Sequence, residues 1–308
     1  MNRRLHSLQR YFFVTLFTMA SVLGWGQTNP VAQSLPYSQN FASLTGSSPV
    51  YPAGWQGWNV TGTIGTSYVT TAPNANQAIS VQTNATAPGA LIGDFIGKMG
   101  VMSTGNATTG QKTICLSVNT TGNSSIVVAY DAATQRTENT RQNALGLQYR
   151  IGTSGTFTNV SSSEYQNQMT PTNTTGTGAV KIQNISVTLP STCDNQAEVQ
   201  LRWVIRDVSG SGNRPGFSID NISVTGTPDC STVAPVGTIT ATNNCGSTDL
   251  SYSGADASTC YWQTTSGGTS TSLPATSTYN VTTSGTYYVN SYNGTCWSSS
   301  PKSQAVTI

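Results

Sequence analysis

Leu201-Arg202-Trp203-Val204-Ile205-Arg206-Asp207-Val208, a polar loop from Ser209 to Gly216, then Phe217-Ser218-Ile219-Asp220-Asn221-Ile222-Ser223-Val224 form the stretch whose reading decides the fold. Apolar and polar residues alternate, the period of strands with one face in a core and one in water. In the second half the apolar phase switches from odd positions (Phe217, Ile219) to even ones (Ile222, Val224). A β-bulge at Asp220-Asn221 reconciles the two, because one extra residue returns the later side chains to the same face. Working outward, the same period recurs in Ile114-Cys115-Leu116-Ser117-Val118 and in Leu145 to Ile151. Gly152-Thr153-Ser154-Gly155 then reads as a hairpin turn into Phe157-Thr158-Asn159-Val160. Many short strands with Gly-rich and Asn-rich turns specify an all-β sandwich.

Only 8% of the residues are charged, and Ser, Thr, Asn and Gly fill the polar positions, which suits strands that expose hydroxyls rather than ions. At the N-terminus Arg3, Arg4 and Arg10 precede an apolar run from Tyr11 to Leu23, with cleavage expected near Gly26. Residues 1–26 therefore read as a signal peptide, and the mature protein is expected to be secreted or held at the cell surface. The run is too short to span a bilayer, which takes about 20 apolar residues, and no later stretch approaches that length. Removing the segment leaves ten Lys and Arg against eleven Asp and Glu and deletes the only histidine, His6. A near-neutral chain without a basic run lacks the charge that nucleic-acid binding needs, so nucleic acid is not expected as a partner. Without imidazole, the chain also lacks the usual base of hydrolytic enzymes and a common zinc ligand.

About 280 mature residues suggest two domains. Thr227 to Pro235, with two prolines and a cysteine, separates a block at 27–228 from one at 229–308. The first is large enough for its own core; the second is near the size at which covalent staples help. Six cysteines in an oxidising compartment favour disulfides. Cys115 and Cys193 stand alone in the first block and are expected to pair; closing about 80 residues would contribute roughly 4 kcal/mol. Cys230, Cys245, Cys260 and Cys296 leave three pairings open.

Pro36-Tyr37-Ser38-Gln39-Asn40-Phe41, Tyr51-Pro52-Ala53-Gly54-Trp55-Gln56-Gly57-Trp58 and the closing stretch from Leu201 to Val224 resemble the N-terminal jelly-roll domain of secreted Bacteroidetes surface proteins. That group is similar to cleaved-adhesin and MAM-type sandwiches. The resemblance covers residues 30–226 and implies a jelly roll in an exported bacterial accessory or adhesive domain. It also implies a structural calcium, held in similar sandwiches by an acid of the first strand and one of the closing strand. Asp220 matches the closing acid; Asn40 stands near the opening one and offers only a weaker carbonyl ligand. The second block, with Cys245-Gly246-Ser247-Thr248-Asp249-Leu250-Ser251-Tyr252, Cys260-Tyr261-Trp262-Gln263 and Ser284-Gly285-Thr286-Tyr287-Tyr288-Val289, resembles bacterial Ig-like repeats of gliding-bacterium surface proteins. This likeness places Trp262 between facing sheets and Tyr287 at a corner. Val289 stands where the second bridging cysteine would be, so the likeness implies a Cys245–Cys296 bridge, with Cys230 and Cys260 as the other pair.

The acids are scattered, and no two share a strand at i, i+2, the spacing that puts two carboxyls on one face. Asp207 and Asp220 flank the closing hairpin and form the one pair to measure against glycosidase spacing, about 5–9 Å. The plainer expectation is that Asp207 pins the Ser209 to Gly216 loop through Arg206 or Arg214. Rings stack on sugar faces. Trp55 and Trp203 are expected in the core, with Trp58 and Tyr292 as the exposed binding rings. Arg136 and Arg141 bracket a polar loop, Thr134 to Asn143, that would present a binding edge. The expected function is a non-catalytic, exported adhesion or binding module for a glycan or matrix polysaccharide, requiring no cofactor beyond the calcium. The alternative is an accessory or targeting region of a larger secreted hydrolase, its further domains lying beyond residue 308.

Overall fold

The computed structural model of the chain describes residues 27–308 apart from 83–88, 109, 138, 171–177 and 230–233. Residues 1–26, expected to be a signal peptide, and Cys230 lie outside the described residues. No α-helix occurs among them; strands alternate with turns, and two one-turn 3-10 segments span Ser191–Cys193 and Ala257–Thr259.

Two sheets face each other in the first part of the chain and make a jelly-roll sandwich. One has eight strands. Its central path runs from Thr158–Asn159 through Gln142–Ile151, Val199–Ser209, Gln111–Asn119 and Trp55–Val60 to Ala75–Asn76. The other has seven and runs from Val180–Thr188 through Asn123–Arg136, Gly216–Pro228, Met99–Met102 and Leu91–Asp94 to Ile79–Val81. Period-two patterning puts Ile114, Leu116, Val118, Leu145, Leu147, Leu201 and Trp203 between the sheets. Trp55 and Trp203 stack there at 5.5 Å between centroids, Tyr130 meets Trp203 edge-on at 5.4 Å and Phe41 meets Trp55 at 5.0 Å.

The closing strand carries its bulge where the phase switches. Asp220 opposes Asp131 and Ser223 opposes Ala129, so one residue is in excess, and Asn221 takes a φ of 48°. Phe217, Ile219, Ile222 and Val224 thereby all reach the core. The Gly152–Gly155 turn also forms its hairpin, pairing Gln148 with Asn159 and Tyr149 with Thr158.

The later part of the chain forms an Ig-like sandwich of two three-stranded sheets. One holds Thr238–Asn244, Ser247–Ser253 and Tyr279–Val281; the other holds Cys260–Gln263, Gly285–Ser291 and Lys302–Val306. Its separate core contains Leu250, Trp262, Val281, Val289 and Val306. Tyr287 packs into it, and its hydroxyl donates to Thr283 O four residues upstream at 2.9 Å, a tyrosine corner.

The expected bridges are corrected. Cys115 and Cys193 are both buried free thiols. Cys193 sits in the core between the sheets, whereas Cys115, one residue out of phase with Ile114 and Leu116, points from the opposite face of its strand toward Trp58 and Phe157. A sheet separates the two sulfurs. Cys245 is a free thiol exposed at the tip of the hairpin between Thr238–Asn244 and Ser247–Ser253, so the Cys245–Cys296 bridge does not form. Cys296 is disulfide-bonded. Cys260 is free and buried, its thiol donating to Asp256 Oδ2 at 3.4 Å.

Candidate functional site

Trp58, expected as an exposed binding ring, is 0% exposed. Phe157 meets it edge-on at 6.3 Å, the Arg150 guanidinium lies over it at 5.6 Å, and a strap holds the same face. After the Trp55–Val60 strand the chain crosses the outer face of the eight-stranded sheet, and the sheet's outward side chains hold it there. Asp207 N donates to Gly65 O, Gln148 Nε2 and Arg202 Nη2 donate to Val69 O, Phe157 N donates to Thr70 O, and Arg202 Nη1 donates to Thr71 O. Beneath it lie Arg202, 0% exposed, and Arg150, 3% exposed, with guanidinium carbons 3.8 Å and 4.5 Å from the Phe157 ring centre. Burial lowers the pKa of both, and the neutral oxygens around them carry the charge: Gln148 Oε1 for Arg202; Gln200 Oε1, Asn29 Oδ1 and Gly155 O for Arg150. Trp58 Nε1 donates to Thr28 O at 3.1 Å. No part of this ring is open to a ligand.

The Arg136 and Arg141 edge is also corrected. Arg136 ends a strand and is buried, 7% exposed. Arg141 donates to Asp207 Oδ2 at 2.9 Å, where Arg214 joins it at 2.9 Å, and Asn143 Nδ2 donates to Asp207 Oδ1 at 2.8 Å. Asp207 thus pins the loop through Arg214. Arg206 instead grips Glu164 with two bonds of 2.8 and 2.7 Å, and Tyr68 of the strap donates to the same carboxylate at 3.0 Å. These bonds hold the Glu164 carboxyl below its ordinary pKa although burial alone would raise it. Asp207 and Asp220 belong to different sheets, so no glycosidase pair is formed by them.

Asp220 and Asn40 line different depressions. Asp220 is half-buried on the outer face of the second sheet beside Asp131 and Lys98; burial raises its pKa, and its Oδ1 accepts from Asn221 N at 2.7 Å. Asn40 lines a different depression with Ser38 and Ser223, its Oδ1 accepting from Ala42 N at 3.1 Å. Among the described residues no three His, Cys, Asp or Glu side chains are gathered as a metal site.

The remaining candidate, Tyr292, is half-buried in a cluster of rings on the Ig-like sandwich. Trp297 stacks on it at 4.9 Å and 24°, and Tyr261 meets Trp297 edge-on at 5.6 Å. All three keep part of their surface in water. The turn that carries two of them is tightly bonded. Asn293 Oδ1 accepts from Thr295 N and Cys296 N, each at 2.9 Å, Tyr292 Oη donates to Gly294 O at 2.9 Å, and Gly294 supplies the φ of 92° that closes the turn. The Cys296 disulfide adds a covalent hold. Sequence reasoning missed Tyr261 and Trp297. For Tyr261 the signal was present: alternation along Cys260-Tyr261-Trp262-Gln263 puts it on the face opposite the buried Trp262. For Trp297 none was, since a turn has no period. Beside the rings, Asn293 and Thr295 line a cleft of about 530 Å³ whose other wall includes Thr121, Asn123 and Pro228 of the jelly roll.

No protein-family model matches the chain, and no curated protein matches it. Among solved structures, the K3 cleaved adhesin domain of Lys-gingipain from Porphyromonas gingivalis is similar at 11% identity and a TM-score of 0.35, covering 61% of this chain and 97% of that domain. The K1 cleaved adhesin domain of the same protein is similar at 14% identity and a TM-score of 0.34, over 62% of this chain and 98% of that one. A xylan-binding domain from Paenibacillus barcinonensis Xyn10C is similar at 12% identity and a TM-score of 0.32, over 62% of this chain and 94% of that one. Likeness this distant transfers no residue role. No helix among the described residues is long and apolar enough to cross a membrane.

Proposed function

We propose that the chain is an exported, non-catalytic binding module of two sandwich domains, jelly roll and Ig-like, that holds a glycan through Tyr261, Tyr292 and Trp297. The observation that carries this reading is the ring cluster itself: three partly exposed aromatic side chains, two of them on a turn tied by its own hydrogen bonds and a disulfide and the third, Tyr261, on a neighbouring strand. Pyranose rings offer apolar C–H faces that stack on such rings. A turn already fixed in its bound shape loses little conformational freedom on binding, so more of the contact energy appears as affinity.

The test is a glycan-array screen of the protein lacking residues 1–26, followed by titration of the best ligand. Trp297→Ala is expected to weaken binding at least tenfold, about 1.4 kcal/mol of lost stacking. Turnover of any ligand, or full affinity in the Trp297→Ala protein, would end the proposal. Running the screen with and without a calcium chelator asks separately whether Asp220 holds the calcium that the family resemblance implies.

A further inference from the structure

We infer that the ligand of this site is an uncharged polysaccharide whose chain continues from the rings into the cleft between the two sandwiches, an inference that rests on the glycan reading above. The cleft, about 530 Å³, falls within the range of small-molecule sites, about 300–1,000 Å³. Thr121, Asn123, Thr225, Asn293 and Thr295 line it, and each offers both a donor and an acceptor, as sugar hydroxyls do. Leu35, Pro36 and Pro228 add apolar patches for C–H faces. Asn293 and Thr295 lie on the turn that carries Tyr292 and Trp297, so the turn that holds two of the rings also forms one wall of the cleft.

Charge selects among glycans. Of the described residues lining the cleft, Asp229 alone is titratable, and no Lys or Arg is present. Binding a uronate or a sulfate ester takes a fixed cation, best an arginine fork. Here the ester or carboxylate would lose water and meet only Asp229, a like charge. The jelly-roll wall is fixed: Asp229 N donates to Gly122 O at 2.7 Å, and Gly122 N donates to Asn195 Oδ1 at 2.9 Å. A ligand filling the cleft therefore touches both sandwiches at once.

Matched polymers test this. The protein is titrated with hydroxyethylcellulose, dextran, xylan and mannan, and with carboxymethylcellulose, dextran sulfate and polygalacturonate. At least one neutral polymer is expected to bind, and the charged derivative of a bound backbone to bind at least tenfold more weakly. Thr121→Trp, which fills the cleft from the jelly-roll side, is expected to cost about tenfold, as is Trp297→Ala; Trp297→Phe, which keeps a ring, retains most of the binding. A charged derivative that binds as well as its parent overturns the inference. So does Thr121→Trp protein that binds like the unaltered chain while Trp297→Ala protein does not; the ring reading then survives alone. Binding unmoved by either variant, or no binding to any polymer, overturns both readings together.

Discussion

Cys115, Trp58 and Arg202 share one side of one sheet, and each is buried where alternation points it toward water. For a thiol, the consequence is chemical silence. The thiolate is the reactive form, and burial raises the pKa of Cys115, of Cys193 to about 11 and of Cys260 to about 12. Among the described free thiols Cys245 alone is exposed. A maleimide applied to the native protein is expected to label Cys245 quickly, and Cys115, Cys193 and Cys260 only after unfolding, as peptide mass spectrometry would show; a Cys115–Cys193 bridge in the same digest would contradict the structure. Arg202 carries the larger energetic stake. Arg202→Ala would leave Gln148 Oε1 and the strap carbonyls of Val69 and Thr71 without their donor and Phe157 without the cation on its face. Hydrogen bonds to a charged group are worth about 1.5–3 kcal/mol, so the loss is expected to be about 3 kcal/mol. In a sandwich of this size that lowers Tm by roughly 6–12 °C, measurable by calorimetry. Nothing in the local sequence marks Arg202 as buried, because the strap that buries it is a loop distant in the chain.

The strap is the element on which this face depends, and a single glycine lets it lie close. A Cβ at Gly146 would stand 2.6 Å from Tyr68 Cζ, so the ring that donates to Glu164 needs the space that glycine leaves in the middle of a strand. Gly146→Ala is expected to push Tyr68 off Glu164 and free the strap while the ladders on either side of Gln142–Ile151 persist. Hydrogen exchange would then speed up at Val69 and Thr70 and stay slow at Leu145 and Leu147; protection unchanged at the strap would refute its dependence on that contact. The bulge of the closing strand was legible in advance, since an apolar phase that changes parity within a strand has no other simple reading. The strap was not, because residues 61–74 carry no period and are held by side chains rather than by a ladder.

Across the whole molecule, burial also sets the alkaline limit of stability. It is the leading cause of raised pKa values at Tyr37, Tyr51, Tyr68, Tyr130, Tyr165 and Tyr252. Each keeps its proton in the folded state above pH 10, where the unfolded chain has released it. The folded state then binds more protons, so these phenols leave stability intact below about pH 10 and erode it as pH rises further, by up to about 1.4 kcal/mol per pH unit for each. Lys112, Arg150 and Arg202 act in the opposite sense, their lowered pKa values favouring the folded state as pH climbs, but they are three against the six phenols and the buried thiols of Cys115, Cys193 and Cys260. Urea unfolding midpoints are expected to begin falling above about pH 8.5, where the unfolded chain releases the protons of Cys115, Cys193 and Cys260, and to fall steeply above about pH 10, with the absorbance of these six tyrosinates appearing only as the chain unfolds. Ionisation of any of these six phenols near pH 10 in a protein still folded, read as the difference between the titrations of the unaltered chain and its Tyr→Phe variant, would contradict this.

Period, parity and turn chemistry act between neighbouring residues, so the sequence by itself determined the all-β class, the bulge at Asp220-Asn221 and the hairpin at Gly152–Gly155, while the tyrosine corner at Tyr287 was legible only through the likeness to Ig-like repeats. The tertiary structure decided which outward faces meet water. It sealed Arg202 under a strap and Trp58 beneath Thr28, Phe157 and Arg150, gave Arg141 to Asp207, put a sheet between Cys115 and Cys193, and brought Tyr261, more than thirty residues from Trp297, against its ring. Alternation names two faces of a strand. Only contacts between segments far apart in the chain settle which of them is covered, and by what.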